Sequence, residues 1–126
     1  MNEIKSIEKK YYNMLIESLR LLAADYETQI EVLPKFVNVP DELALIFTDT
    51  LLFVKQNAIL IGEKMVIIEN IDKLLEEINE NKDLWTLESL KNSSKWQDVR
   101  SVASKALKLL GEENKNPELF WINFVK

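Results

Sequence analysis

The chain has 126 residues, of which 47% are hydrophobic and 29% charged, a formal net charge of −5, and neither cysteine nor histidine. That length and balance describe one globular domain, residues 1–126, able to bury a core without disulfides or metal. The missing residue types exclude disulfides, thiolate and imidazole metal sites and the usual general base near neutral pH, and the acidic balance argues against a nucleic-acid partner.

Two glycines and three prolines are few breakers, which favours helices with short connections over a many-turned sheet. Residues 3–32 carry one sustained helical pattern, with Ile4, Ile7, Tyr11, Met14, Leu15, Leu19, Leu22, Tyr26, Ile30 and Leu33 at three- and four-residue steps. A straight helix of that span would be roughly 45 Å long. It must therefore overhang the domain or bend, with a break expected near Thr28. Pro34 disfavours a helical Leu33 and ends the pattern.

Pro40 suits a first helical turn, and Asp41 and Glu42 suit the positive end of a helix dipole. The spacing predicts a helix over about 41–57. Between Leu43 and Val54 only Thr48, Asp49 and Thr50 are polar, so this helix is expected to be buried and central. Residues 58–68 allow either a β-hairpin with Gly62-Glu63 at its tip or a connector that opens a helix at Glu63. The face formed by Ile68, Ile71, Leu74, Leu75 and Ile78 favours the helix, over about 63–80.

Residues 81–83 break the pattern. A short helix follows over 84–92, with Thr86 as a candidate N-cap. Ser94-x-x-Gln97 has the form of a capping box ahead of Trp96, Val99, Val102, Ala103, Ala106, Leu107 and Leu110. Gly111 suits the position just past the end of that helix, 95–110. The tail, residues 117–126, is short and apolar, and reads equally as helix or strand. The expected fold is all-α: an irregular bundle of about five helices around the buried helix 41–57.

Three groups of residues stand out as candidate sites. Glu69, Asp72, Glu76, Glu77 and Glu80 crowd the polar side of the helix 63–80. A charge run of this kind is most often a solvated face, and its functional alternative is a surface for a basic protein partner. Asp49 sits among Phe47, Leu51, Leu52 and Phe53. It is a candidate buried charge, unless it marks the wet edge of its helix. The tail aromatics Trp121 and Phe124 are candidate partner anchors, whereas Trp85 and Trp96 read as core. Lys91, Lys95, Arg100, Lys105 and Lys108 make the helix 95–110 and its approach basic, in a position to pack on the acidic helix.

No catalytic motif, metal-ligand spacing or cofactor-binding loop is present, so no catalytic residue, metal or cofactor is expected. The charged start MNEIKSIEKK and the shortness of the longest apolar run predict a cytoplasmic protein without a membrane partner. Residues 33–49 (LPKFVNVPDELALIFTD) and 84–110 resemble small helical bacterial proteins of unknown function, through a proline turn, two caps and a tryptophan anchor. By analogy of type, that resemblance implies an immunity- or antitoxin-like inhibitor of a bacterial toxin. The expected function is thus a non-enzymatic protein-binding module with an acidic helical surface. The alternatives are a homodimer or higher homo-oligomer packed through its first helix or aromatic tail, and a small-ligand sensor or enzyme that uses Asp49.

Overall fold

Asp25 divides the first apolar pattern in two. In the computed structural model, which describes residues 2–119 and 121–122 (side chains from Ser6 onward), the first helix, α1, spans Asn2–Ala23, and α2 spans Tyr26–Val32. Asp25 is extended (φ −69°, ψ 166°), and its carboxylate accepts the Thr28 backbone N–H at 2.8 Å, an N-cap bond. The break therefore falls at Ala24–Asp25, a turn earlier than expected. It has a further cause in Gln29, which is 1% exposed. Its Nε2 donates to the Leu21 and Leu22 carbonyls at 3.1 and 3.3 Å in the last turn of α1, where the Ala24 N–H also reaches the Leu21 carbonyl.

Asn38 caps α3, Val39–Gln56, by accepting the Asp41 N–H at 3.0 Å, and Pro40 occupies the first turn. A connector leads to Gly62, whose φ of 67° no side chain would favour, and Gly62 starts α4, Glu63–Asn79. The helix expected from Glu63 is thus present, and the hairpin is not. Ala58 in the connector also takes a positive φ, 48°, at a cost of about 1–2 kcal/mol for a residue with a Cβ. A 3₁₀ turn, Lys82–Leu84, precedes α5, Leu87–Asn92, whose N-cap Thr86 accepts the Ser89 N–H at 3.0 Å.

The last helix, α6, spans Ser94–Leu109. Ser93 caps it, one residue before the expected Ser94, and accepts the Lys95 N–H at 3.2 Å. At its far end Gly111 takes φ 73°. The Gly111 N–H bonds the Lys108 carbonyl and the Glu112 N–H the Leu107 carbonyl, the paired bonds of a Schellman ending.

The described residues thus form an all-α bundle of six helices, with no strand among them. Its hub is not α3. Helix α1 packs against both α3 and α6, and α6 packs against both α1 and α4. One cluster links Leu15, Leu19 and Leu22 of α1, Leu43 and Phe47 of α3, Ile68, Ile71 and Ile78 of α4, and Val99, Ala103 and Leu107 of α6. Helix α3 lies on the flank and exposes Leu45, Leu52 and Phe53 to 47%, 54% and 37%, which corrects its expected central place. An apolar surround permits burial on every side, but α3 packs mainly against α1 and only lightly against α5, which leaves much of its remaining surface open.

After α6 the chain returns along α1. The Tyr12 hydroxyl donates to Glu112 Oε2 at 2.8 Å. Arg20, 7% exposed, donates from Nε to the Glu113 carbonyl at 2.9 Å and from Nη1 to Glu17 Oε2 at 2.7 Å. Glu17 Oε1 then accepts the Glu118 backbone N–H at 2.8 Å. Arg20 and Glu17 are therefore a latch that ties the segment 112–118 to the first helix.

Burial, with the Glu112 hydrogen bond and charge, pushes the Tyr12 phenol up from 10.0 to about 12. An unfolded tyrosine ionises near 10, so the unfolded chain loses this proton first as pH rises. The contribution of Tyr12 is intact below about pH 10 and is lost as the pH passes through about 12. We expect alkaline titration to destabilise the wild-type chain in that window, and Tyr12→Phe to remove that part of the pH dependence. Identical alkaline unfolding profiles for the two proteins would contradict the raised ionisation of the half-buried Tyr12 phenol.

Candidate functional site

The acidic residues of α4 follow from helical geometry, since steps of three and four place side chains on one side. Glu69, Glu76, Glu77 and Glu80 are exposed and Asp72 is half-buried. They do not form one uniform face. Glu77 turns toward α6, where its Oε2 meets Lys95 Nζ at 3.0 Å. Asp72 and Glu76 turn toward α3. With Asp41, Leu45 and Thr48 of α3 and with Trp85, they line a recess of about 230 Å³. Of the five candidates, Glu77 alone has an ion pair among the described residues.

The charge of this side extends along α3. Burial, with the neighbouring charges of Asp41 and Asp49, holds the Glu42 carboxyl above its ordinary range. The region therefore resists further negative charge and favours a cation. Among the described residues, no cluster of three or more acidic side chains is arranged to hold a metal ion.

Asp49 itself is exposed, which corrects its place as a candidate buried charge. It belongs to the wet edge of α3, beside exposed Thr48 and Leu52, and it lines an open recess with Glu42, Phe53 and Trp121. The Trp121 indole N–H donates to the Glu118 carbonyl at 2.8 Å, and the ring packs half-buried on the chain's own core. Trp121 is therefore engaged within the molecule. Phe124 lies outside the described residues.

The expected pairing of a basic α6 with an acidic α4 is present at Lys95 only. Arg100 instead turns inward and donates from Nη2 to Gln29 Oε1 at 2.9 Å and to the Leu90 carbonyl at 2.6 Å. Burial lowers its pKa against the opposing charges of Asp25 and Glu27. It ties α2, α5 and α6 together. Lys91 lies 5.7 Å from the centre of the Tyr26 ring, a cation–π contact at the same corner.

Two members of the acidic recess escape the sequence pattern. Asp41 reads as a helix-dipole partner and Trp85 as core. The structure places both beside Asp72 and Glu76, and the Trp85 indole N–H donates to the Ile78 carbonyl at 3.1 Å, which fixes the ring at the end of α4. Only the three-dimensional approach of α3 to α4 joins them. Among the described residues, no helix is long and apolar enough to cross a membrane. No protein-family model matches the chain, and neither a curated protein nor a solved structure matches it.

Proposed function

We propose that this chain is a non-enzymatic, cytoplasmic protein-binding module whose acidic side, formed by α4 and the neighbouring edge of α3, receives a basic protein partner. The observation that carries the reading is the set of α4 carboxylates left without a cation: Glu69, Asp72, Glu76 and Glu80, with Glu77 alone paired. Uncompensated negative charge on one side steers a basic partner and disfavours an acidic one. By analogy of type with small acidic immunity proteins, the partner is a basic toxin or nuclease that the chain holds inactive. Net charge of −5 suits that role.

A second reading, self-association through the first helix, draws on a different observation. Ile7 is 46% exposed, one turn from Tyr11, whose ring stacks on Phe53 with centroids 4.9 Å apart. Together they give an apolar surface where α1 and α3 meet, suited to a two-fold contact. A mass that stays monomeric at high protein concentration rules this out.

The test of the first reading is the triple reversal Glu69→Lys, Glu76→Lys, Glu80→Lys. The three side chains are exposed, so the folding free energy should move by no more than about 0.5 kcal/mol per site. Affinity capture from native lysate should retain a basic protein on the wild-type chain and lose it on the reversed chain. Retention on the wild type should fall with added salt, as surface charges are screened within about 10 Å at 0.1 M. Equal retention on both chains, insensitive to salt, would reject the acidic surface.

A further inference from the structure

A second recess adjoins the acidic one. The turn between α2 and α3 and the start of α5 enclose about 490 Å³, lined by Ile30, Pro34, Val37, Pro40, Trp85 and Leu87. Lys35 is its one charged lining residue. Trp85 lines this apolar recess and the acidic recess alike, and Pro40 and Asp41 are successive residues that open onto the one and the other. The surface therefore changes across a single indole from apolar to acidic.

Its walls are held before any partner arrives. Pro34 and Pro40 restrict the turn, the Asn38 side chain is committed to the α3 cap, and Trp85 is bonded to the Ile78 carbonyl. A preformed site loses little freedom on binding. Ile30 and Leu87 nevertheless remain 37% and 49% exposed on its rim.

We infer that this double recess binds a basic amphipathic segment of a protein partner, with apolar side chains over Ile30 and Leu87 and lysine or arginine opposite Asp41, Asp72 and Glu76. Charge complementarity selects that occupant. An acidic segment would meet three carboxylates, and a wholly polar basic one would leave the apolar recess uncovered. The inference rests on the acidic-surface reading and adds the apolar half and the kind of segment that fits it.

The experiment is an amide chemical-shift titration of the labelled chain with three synthetic peptides of equal length: amphipathic Leu/Lys, its Leu/Glu counterpart, and Lys/Ser. The Leu/Lys peptide should shift the Trp85 indole N–H and the amides of residues 34–41 and 85–87. Lys/Ser should bind about tenfold or more weakly, and Leu/Glu should not bind. Leu87→Asp should weaken Leu/Lys binding by at least about tenfold while the spectrum stays folded, because aspartate suits the first turn of α5. Asp72→Lys with Glu76→Lys should weaken it similarly.

If Lys/Ser binds as well as Leu/Lys and Leu87→Asp has no effect, the double recess fails while the acidic surface stands. If neither lysine peptide binds, or if Leu/Glu binds as well as Leu/Lys, both fail.

Discussion

Trp96→Ala is expected to lower the unfolding free energy by about 3–5 kcal/mol, the range for removing a large aromatic from a packed core. Trp96 is 1% exposed on the inner face of α6, the helix that joins α1 to α4. Its indole N–H donates to the Leu84 carbonyl at 2.8 Å, so the same side chain holds the 3₁₀ turn against the bundle. Truncation would open a cavity and leave that carbonyl without its donor. A domain of this size is held by roughly 5–15 kcal/mol in total, so the loss is a large share of it. Trp96→Phe separates the two effects. It keeps most of the ring and removes the donor, and should cost about 1–3 kcal/mol. Urea unfolding followed by circular dichroism measures both. A loss below about 1 kcal/mol for the alanine variant would mean that Trp96 does not fill the space assigned to it.

Arg20→Met should cost about 3 kcal/mol, near the lower end of the range for breaking a buried ion pair from one side. The side chains of Arg20 and Glu17 are 9% and 13% exposed, so removing the guanidinium leaves Glu17 charged, largely buried and without its cation. It also removes the bond to the Glu113 carbonyl, and with it one of the attachments of the returning segment. Two measurements separate these consequences. In a double-mutant cycle, Glu17→Gln on the Arg20→Met background should recover part of the loss, because the stranded charge is gone. Amide exchange at Glu118, whose N–H is bonded to Glu17, should accelerate in Arg20→Met far more than exchange in the middle of α4. Unchanged exchange at Glu118 would show that Arg20 does not hold the segment.

Both predictions depend on residues whose roles differ in how far the sequence discloses them. Trp96 is legible, because it lies on a clear apolar face between a serine cap and a terminal glycine, all local signals. The caps at Thr86 and Gly111 and the helix from Glu63 are legible for the same reason. The break at Asp25 is obscured because Tyr26 and Ile30 continue the spacing of Leu19 and Leu22 across it. The Asp25-to-Thr28 cap is the signal that would have found it. The flank position of α3 could not be read from its own residues, since exposure depends on which neighbours arrive.

The latch is illegible by nature. Arg20 and Glu113 are 93 positions apart, and Gln29 and Arg100 are 71 apart, so neither partner carries a local mark of the other. Of the candidate site, the α4 carboxylates are readable as a helical face. Their division between Lys95 on one side and Asp41 with Trp85 on the other is not, because it is created by how α4 sits between its neighbours.

The pairing of α1 with α6 bears on how the molecule is made. Helix α1 leaves a ribosome well before α6, one of the two helices that cover its apolar side. Leu15, Leu19 and Leu22 must wait for Val99, Ala103 and Leu107 while the intervening chain is synthesised. At roughly 5–20 residues per second that delay is on the order of several seconds. Helix α3 emerges sooner and also packs on α1, so it can shield only the part of that surface that α6 does not take. The nascent chain therefore carries a partly uncovered leucine face until α6 has emerged. Chaperone contact during translation should concentrate on α1, and codon changes that slow synthesis between α3 and α6 should lower the yield of folded protein more than equal delays after Gly111.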